Sequence, residues 1–199
     1  MYRGNSSRIV PILLVLIVVA IAIAALVSAG RAIFGGDQTT QAQVDIGRDA
    51  LLNTAVNRSV RMTVRGALVA DENFRSYQVT VNSSGRSLVA YSGYLAQPLD
   101  TKEYGNNVRA YEEFVYALDK ANLMKGEELK EEKGDTRGIC ASGNVYEFEV
   151  LNGSSVVKRL WTSTCKGSTG TLKASVTQVE TLFHNQIPDS RAVLRTIDL

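Results

Sequence analysis

Cys140 and Cys165 are the residues whose type and spacing most readily do chemistry, because thiols 25 positions apart pair in an oxidising compartment and stay buried thiols in a reducing one. His184 is the sole histidine. It follows Phe183 near the end of an amphipathic segment, where an imidazole favours the negative helix terminus, so it reads as a cap or surface group rather than a general base. Cysteine and histidine do not recur at zinc spacing, and acidic residues do not recur at calcium-loop spacing. The glycine-rich loops at 134–138 and 167–170 carry no Walker lysine-serine pair and read as turns. No glycine-X-serine-X-glycine elbow occurs, while a Ser-Lys dyad, whose partners meet only in the fold, stays open. The sequence therefore nominates no catalytic residue, no cofactor, no cofactor-binding residue and no metal ligand.

The cysteines gain meaning from the segments that would hold them. Residues 144–151 and 155–163 alternate apolar and polar side chains around Asn152-Gly153, a strong signal for a tight hairpin. A register with Leu151 facing Ser154 also faces Cys140 with Cys165, predicting a disulfide at the open end of the hairpin. It sets Glu147 against Lys158 on one face, and Tyr146, Phe148 and Val150 with Val157 and Trp161 on the other.

Three further strands are expected upstream. Val60, Met62 and Val64 alternate with polar residues, as do Tyr77, Val79 and Val81, and residues 86–95 follow a turn at 82–85. Such short connections suit antiparallel neighbours. Helices are expected at residues 40–56, with Val44, Gly47, Leu51 and Ala55 on one stripe; from Asn107 as N-cap to Gly126; and from Ser175, with Gln178 three residues on, to Pro188. The charged stretch 125–138 reads as a solvated connector. The predicted fold class is α+β: an N-terminal transmembrane helix, then an ectodomain with a five-stranded antiparallel sheet and about three helices.

That helix is predicted from residues 9–27, nineteen positions without a charge. At 1.5 Å per residue they span about 28 Å, close to the bilayer core. Arg3 and Arg8 precede the run with no acidic residue, which favours a cytoplasmic amino terminus. The expected organisation is residues 1–8 cytoplasmic, 9–30 in the lipid bilayer, 31–39 a hinge containing Gly35-Gly36, and 40–199 one extracytoplasmic domain. A cleaved signal ending near Ser28-Ala29 is the competing reading, and it exports the same domain.

The net charge of +2 is mild and the basic residues are scattered among acids, so the sequence gives no support to a nucleic-acid partner. Tyr91, Tyr94 and Tyr104 cluster around the third strand and its exit as a candidate partner surface, since tyrosine offers rigid amphipathic area; packing under a helix is the alternative. Asn57, Asn82 and Asn152 begin Asn-X-Ser triplets, which also suit turns.

The run Leu160-Trp161-Thr162-Ser163-Thr164-Cys165, then Gly170-Thr171 and Thr181-Leu182-Phe183-His184-Asn185-Gln186-Ile187-Pro188-Asp189, resembles segments of uncharacterised single-pass, membrane-anchored envelope proteins of small-genome bacteria. The resemblance covers about the last forty residues, implies export and a paired cysteine, and carries over no site residue. The short basic leader ending at Gly4, apolar helix, polar helix, sheet and late disulfide also resemble the type IV pilin family. The apolar run here starts at Ile9, lacks the early glutamate and contains Pro11. The function expected is a membrane-anchored extracytoplasmic interaction or envelope-assembly module without enzymatic activity, with an envelope protein or surface partner. A pilin-like structural subunit and an exported hydrolase with an unrecognised site are the alternatives.

Overall fold

A computed structural model describes residues 14–15, 17–23, 46–129 and 134–197. Chain contacts divide the protein into two units, Met1–Val44 and Asp45–Leu199. In the first, residues 14–15 and 17–23 are helical with exposed side chains. The remainder of the expected span at 9–30 lies outside the described residues, as do the hinge at 31–39 and the cytoplasmic segment 1–8. Among the described residues no helix is long and apolar enough to cross a membrane.

The second unit is α+β. Helix α1 (Ile46–Leu52) leads into β1 (Arg58–Arg65), β2 (Arg75–Asn82), β3 (Gly85–Ser92) and β4 (Gln97–Gly105). Helix α2 (Val108–Lys120) crosses to β5 (Val145–Asn152) and β6 (Ser155–Ser163), and α3 (Val176–His184) and α4 (Ser190–Leu194) close the chain. All pairings are antiparallel in one six-stranded sheet of order β4-β3-β2-β1-β5-β6. The sheet therefore has six strands, not five. β4 escapes sequence reading because Gln97-Pro98-Leu99-Asp100-Thr101-Lys102-Glu103 buries neither face and so shows no apolar alternation.

The β5–β6 register also differs from expectation. Asn152 pairs with Ser155, which moves the turn to Gly153-Ser154, and a bulge at Val150/Leu151 shifts the ladder again, so Glu147 faces Trp161 and Lys158 faces Val150. Beyond the bulge the total slip is three residues, an odd number that moves the side chains from Lys158 to Ser163 to the opposite sheet face, while Val157 still packs on the main core. Leu160, not Trp161, packs with Phe148 in the main core. Trp161 joins Val145, Ile139 and the cysteines in a second cluster. The Cys140–Cys165 disulfide forms nonetheless, with Cα atoms 5.5 Å apart. It does not depend on the ladder, because β5 begins only at Val145 and Cys140 lies in the loop before it.

Helices cover the face carrying Val60, Met62, Val79, Leu88, Phe148 and Leu160. Asn107 caps α2 by accepting from the Ala110 N–H at 2.9 Å, and Ser175 accepts from the Gln178 N–H at 3.5 Å, as their positions predict. Phe183 locks α3 to the core, edge-on to Phe114 at 5.3 Å and tilted on Phe148 at 6.1 Å. α1 buries Gly47, Ala50 and Leu51; residues 40–45 of the expected first helix lie outside the described residues. α4, after Pro188, is a helix the sequence did not announce.

The opposite face is polar and ion-paired, with Arg61–Glu149 at 2.7 Å and Arg65–Glu147 at 2.9 Å. Part of the expected connector packs here: Thr136 is buried against Arg65 and Glu147, and the Gly134 carbonyl accepts from Arg159. Residues 130–133 of that connector lie outside the described residues.

Candidate functional site

Exposed apolar side chains gather at the end of the sheet where β1 ends, β2 begins and β3 turns into β4. Leu68, Val69, Tyr94 and Leu99 are about half exposed, and Leu95 is 84% exposed. Scattered single apolar residues are ordinary on a protein surface, but several on neighbouring loops, two of them joined by the Tyr94–Val69 hydrogen bonds, suit a contact site.

The rim is held rigidly. Tyr94 stacks on Phe74 with centroids 4.1 Å apart. Its hydroxyl donates to the Val69 carbonyl at 2.7 Å, and its backbone N–H donates to Asp71 Oδ1 at 2.7 Å. The Leu68 N–H donates to the Ala141 carbonyl at 2.9 Å, one residue from the disulfide, so the Cys140–Cys165 bridge braces the loop that presents Leu68. At the turn, Ala96 adopts φ of 53°, a left-handed conformation that costs an L-residue about 1 kcal/mol. Such strain persists only where surrounding contacts impose it. Asp71 and Glu72 border the rim with two negative charges, and the Arg75 guanidinium, which donates to the Glu72 and Phe74 carbonyls, sets one positive charge beside them, so the border is net negative.

A second constellation lies under α3. The Tyr77 hydroxyl is 2.9 Å from His184 Nε2 and 3.2 Å from Glu180 Oε1, and the latter two residues share one helix face at i and i+4. Burial, reinforced by the Glu180 carboxylate, raises the Tyr77 phenol well above its ordinary range. Burial also raises Glu180, against the Tyr77 hydrogen bond, and burial followed by the Arg191 charge lowers His184. His184 borders an open cavity of about 470 Å³ that Asp189, Arg191 and Arg195 also line. These groups spend their hydrogen bonds on one another, which fixes α3 against β2. Among the described residues, no group of three or more His, Cys, Asp or Glu is placed to hold a metal ion.

No family model and no curated protein matches this chain.

The structure does not bring the three candidate tyrosines together. Tyr94 belongs to the rim. Tyr91 lies on the polar sheet face opposite Ser76. Tyr104 lies on the helix side, its hydroxyl donating to the Pro188 carbonyl at 3.3 Å and its ring 5.9 Å from the Arg86 guanidinium carbon. Leu68, Val69 and Leu99 were not singled out from sequence. Their signal was nevertheless present: Ala67-Leu68-Val69-Ala70 and Leu95-Ala96 are apolar where turn chemistry calls for polar residues.

Proposed function

We propose that this protein is a membrane-anchored extracytoplasmic interaction or envelope-assembly module without enzymatic activity, tethered through residues 9–30 and contacting a protein partner through the rim of Leu68, Val69, Tyr94, Leu95 and Leu99. The rigid exposure of that rim is the observation that carries the reading. The uncharged run at 9–27 supports the tether, and the disulfide supports an oxidising compartment outside the cytoplasm. The resemblance of the C-terminal segment to single-pass envelope proteins points the same way.

Asp71 and Glu72 beside the rim set the partner's chemistry: an apolar protein segment flanked by basic residues. The test titrates the full chain with a labelled Leu-Val-Leu peptide flanked by lysines, the same core flanked by aspartates, and zwitterionic lipid vesicles. The lysine-flanked peptide should bind about tenfold more tightly than the aspartate-flanked one and lose binding in Leu95→Glu. Equal binding of both peptides, or a preference for vesicles, overturns the assignment.

A further inference from the structure

The two edges of the sheet are treated differently. At β6 the following segment folds back along the strand: the Thr171 and Leu172 N–H groups both donate to the Trp161 carbonyl at 2.9 Å, and the Ser163 hydroxyl donates to the Ser168 carbonyl at 2.7 Å. Gly170 permits this approach at φ of 71°, where a Cβ would lie 2.2 Å from the Trp161 carbonyl oxygen. At β4, among the described residues, the backbone pairs with β3 only. Pro98 and the register shift between Ala90 and Tyr91 interrupt β4 at its start, so the regular uncovered edge, and the template it offers another strand, is Asp100 to Gly105.

The backbone phase of β4 follows from one bond. The Asn106 N–H donates to the Ser84 carbonyl at 2.9 Å, and the β3–β4 ladder runs without a shift from Gly85–Gly105 to Ala90–Asp100. Alternation therefore turns the backbone groups of Tyr104, Lys102 and Asp100 toward β3 and those of Glu103 and Thr101 outward. Asp100 and Lys102 flank Thr101 on one sheet face, half-buried and ion-paired with each other at 3.1 Å.

We propose that β4 pairs antiparallel with β4 of a second copy of this chain, about a two-fold axis through Thr101. In that register Thr101 exchanges backbone hydrogen bonds with Thr101 of the second copy, Asp100 faces its Lys102, and Lys102 faces its Asp100. The interface is self-complementary, as a two-fold requires. Moving the axis by one residue sets Asp100 against Asp100 or Lys102 against Lys102, so like charges exclude the neighbouring registers. The result is a continuous twelve-stranded sheet across two copies. Leu99 belongs both to the rim and to this strand, so the pairing is tested with Leu68, Val69, Tyr94, Leu95 and Leu99 all unchanged.

The experiment is sedimentation of the full chain in mild detergent, with four variants. The wild-type chain should be dimeric. Asp100→Lys and Lys102→Asp should each weaken the dimer about tenfold by placing like charges across the axis, while the Asp100→Lys/Lys102→Asp double swap restores it. An equimolar mixture of the two single variants should form the heterodimer. Thr101→Pro, which removes an outward N–H and leaves the β3 pairing intact, should be monomeric. Oxidised Thr101→Cys should cross-link, and Val156→Cys on the opposite edge should not. A monomeric wild type, or a dimer indifferent to the charge swaps and to Thr101→Pro, overturns the proposal. The second result would place association in the apolar run at 9–27 instead.

Discussion

Tyr94 grips Val69 by both of its backbone polar groups: the phenol oxygen donates to the carbonyl at 2.7 Å and accepts from the N–H at 3.2 Å, across 25 residues of chain. Two loops that share no ladder are thereby held as one surface. In Tyr94→Phe the stack on Phe74 stays and both hydrogen bonds go, at a cost of about 1–2 kcal/mol in local stability. Hydrogen exchange should show faster exchange at the Val69 amide with little change in the β1 and β2 amides. Unchanged protection at Val69 would show that the two loops are held by something else.

The disulfide supports the same surface from the other side. Cys140→Ser/Cys165→Ser should lower unfolding free energy by about 2–5 kcal/mol, because the bridge closes a loop of intermediate length. The main core around Phe148, Leu160 and Phe183 lies elsewhere, so the sheet should survive. Protection should fall first at the Leu68 amide, whose acceptor is the Ala141 carbonyl beside the bridge. Urea denaturation with exchange at Leu68 checks both statements.

His184 gives stability a defined pH dependence. Its folded pKa lies below the ordinary 6.5, so the unfolded chain binds the proton first. The stability it contributes is present above pH 6.5 and is lost as pH falls through that value toward the depressed folded one. Glu180 acts in the opposite sense: its raised pKa makes ionisation in the folded state a cost that appears as pH rises above 4.5. Comparing urea midpoints at pH 7.5 and 5.5, His184→Gln should lose less stability on acidification than the wild type. Equal losses would remove His184 from this role.

The tether is tested by amino-terminal sequencing of the mature protein. An anchored chain keeps Met1, a pilin-like chain starts at Asn5, and a secreted one starts near Gly30. The expected result is Met1, with a reporter fused after Gly36 active outside the cytoplasm. A cytoplasmic reporter would contradict the orientation.

What the sequence made legible was whatever had a strong period or a capping residue. Val60-Met62-Val64 alternation placed β1, and Asn107 and Ser175 placed two helix starts. The hairpin was legible in kind but not in register, because Asn152-Gly153 marks a turn within one residue while a bulge at Val150/Leu151 leaves no composition signal. That slip of three residues carried Trp161 to the wrong face. The disulfide prediction survived because loop residues, not ladder partners, bring Cys140 to Cys165. β4 was invisible since an edge strand with both faces wet needs no apolar pattern. The rim is half legible: Tyr94 stands out in the sequence, but its partner Val69 lies 25 positions away and meets it only in the fold.

The central claim is that the rim meets a protein partner outside the cytoplasm. Its most direct test places a photo-crosslinking amino acid at Leu68 or Leu95, and separately at Gly153 on the opposite end of the sheet, in living cells. The account predicts an adduct of the same mass from Leu68 and Leu95, weakened when Glu72→Lys reverses the bordering charge and absent from Gly153. Absence of rim adducts, or equal adducts from Gly153, would contradict it.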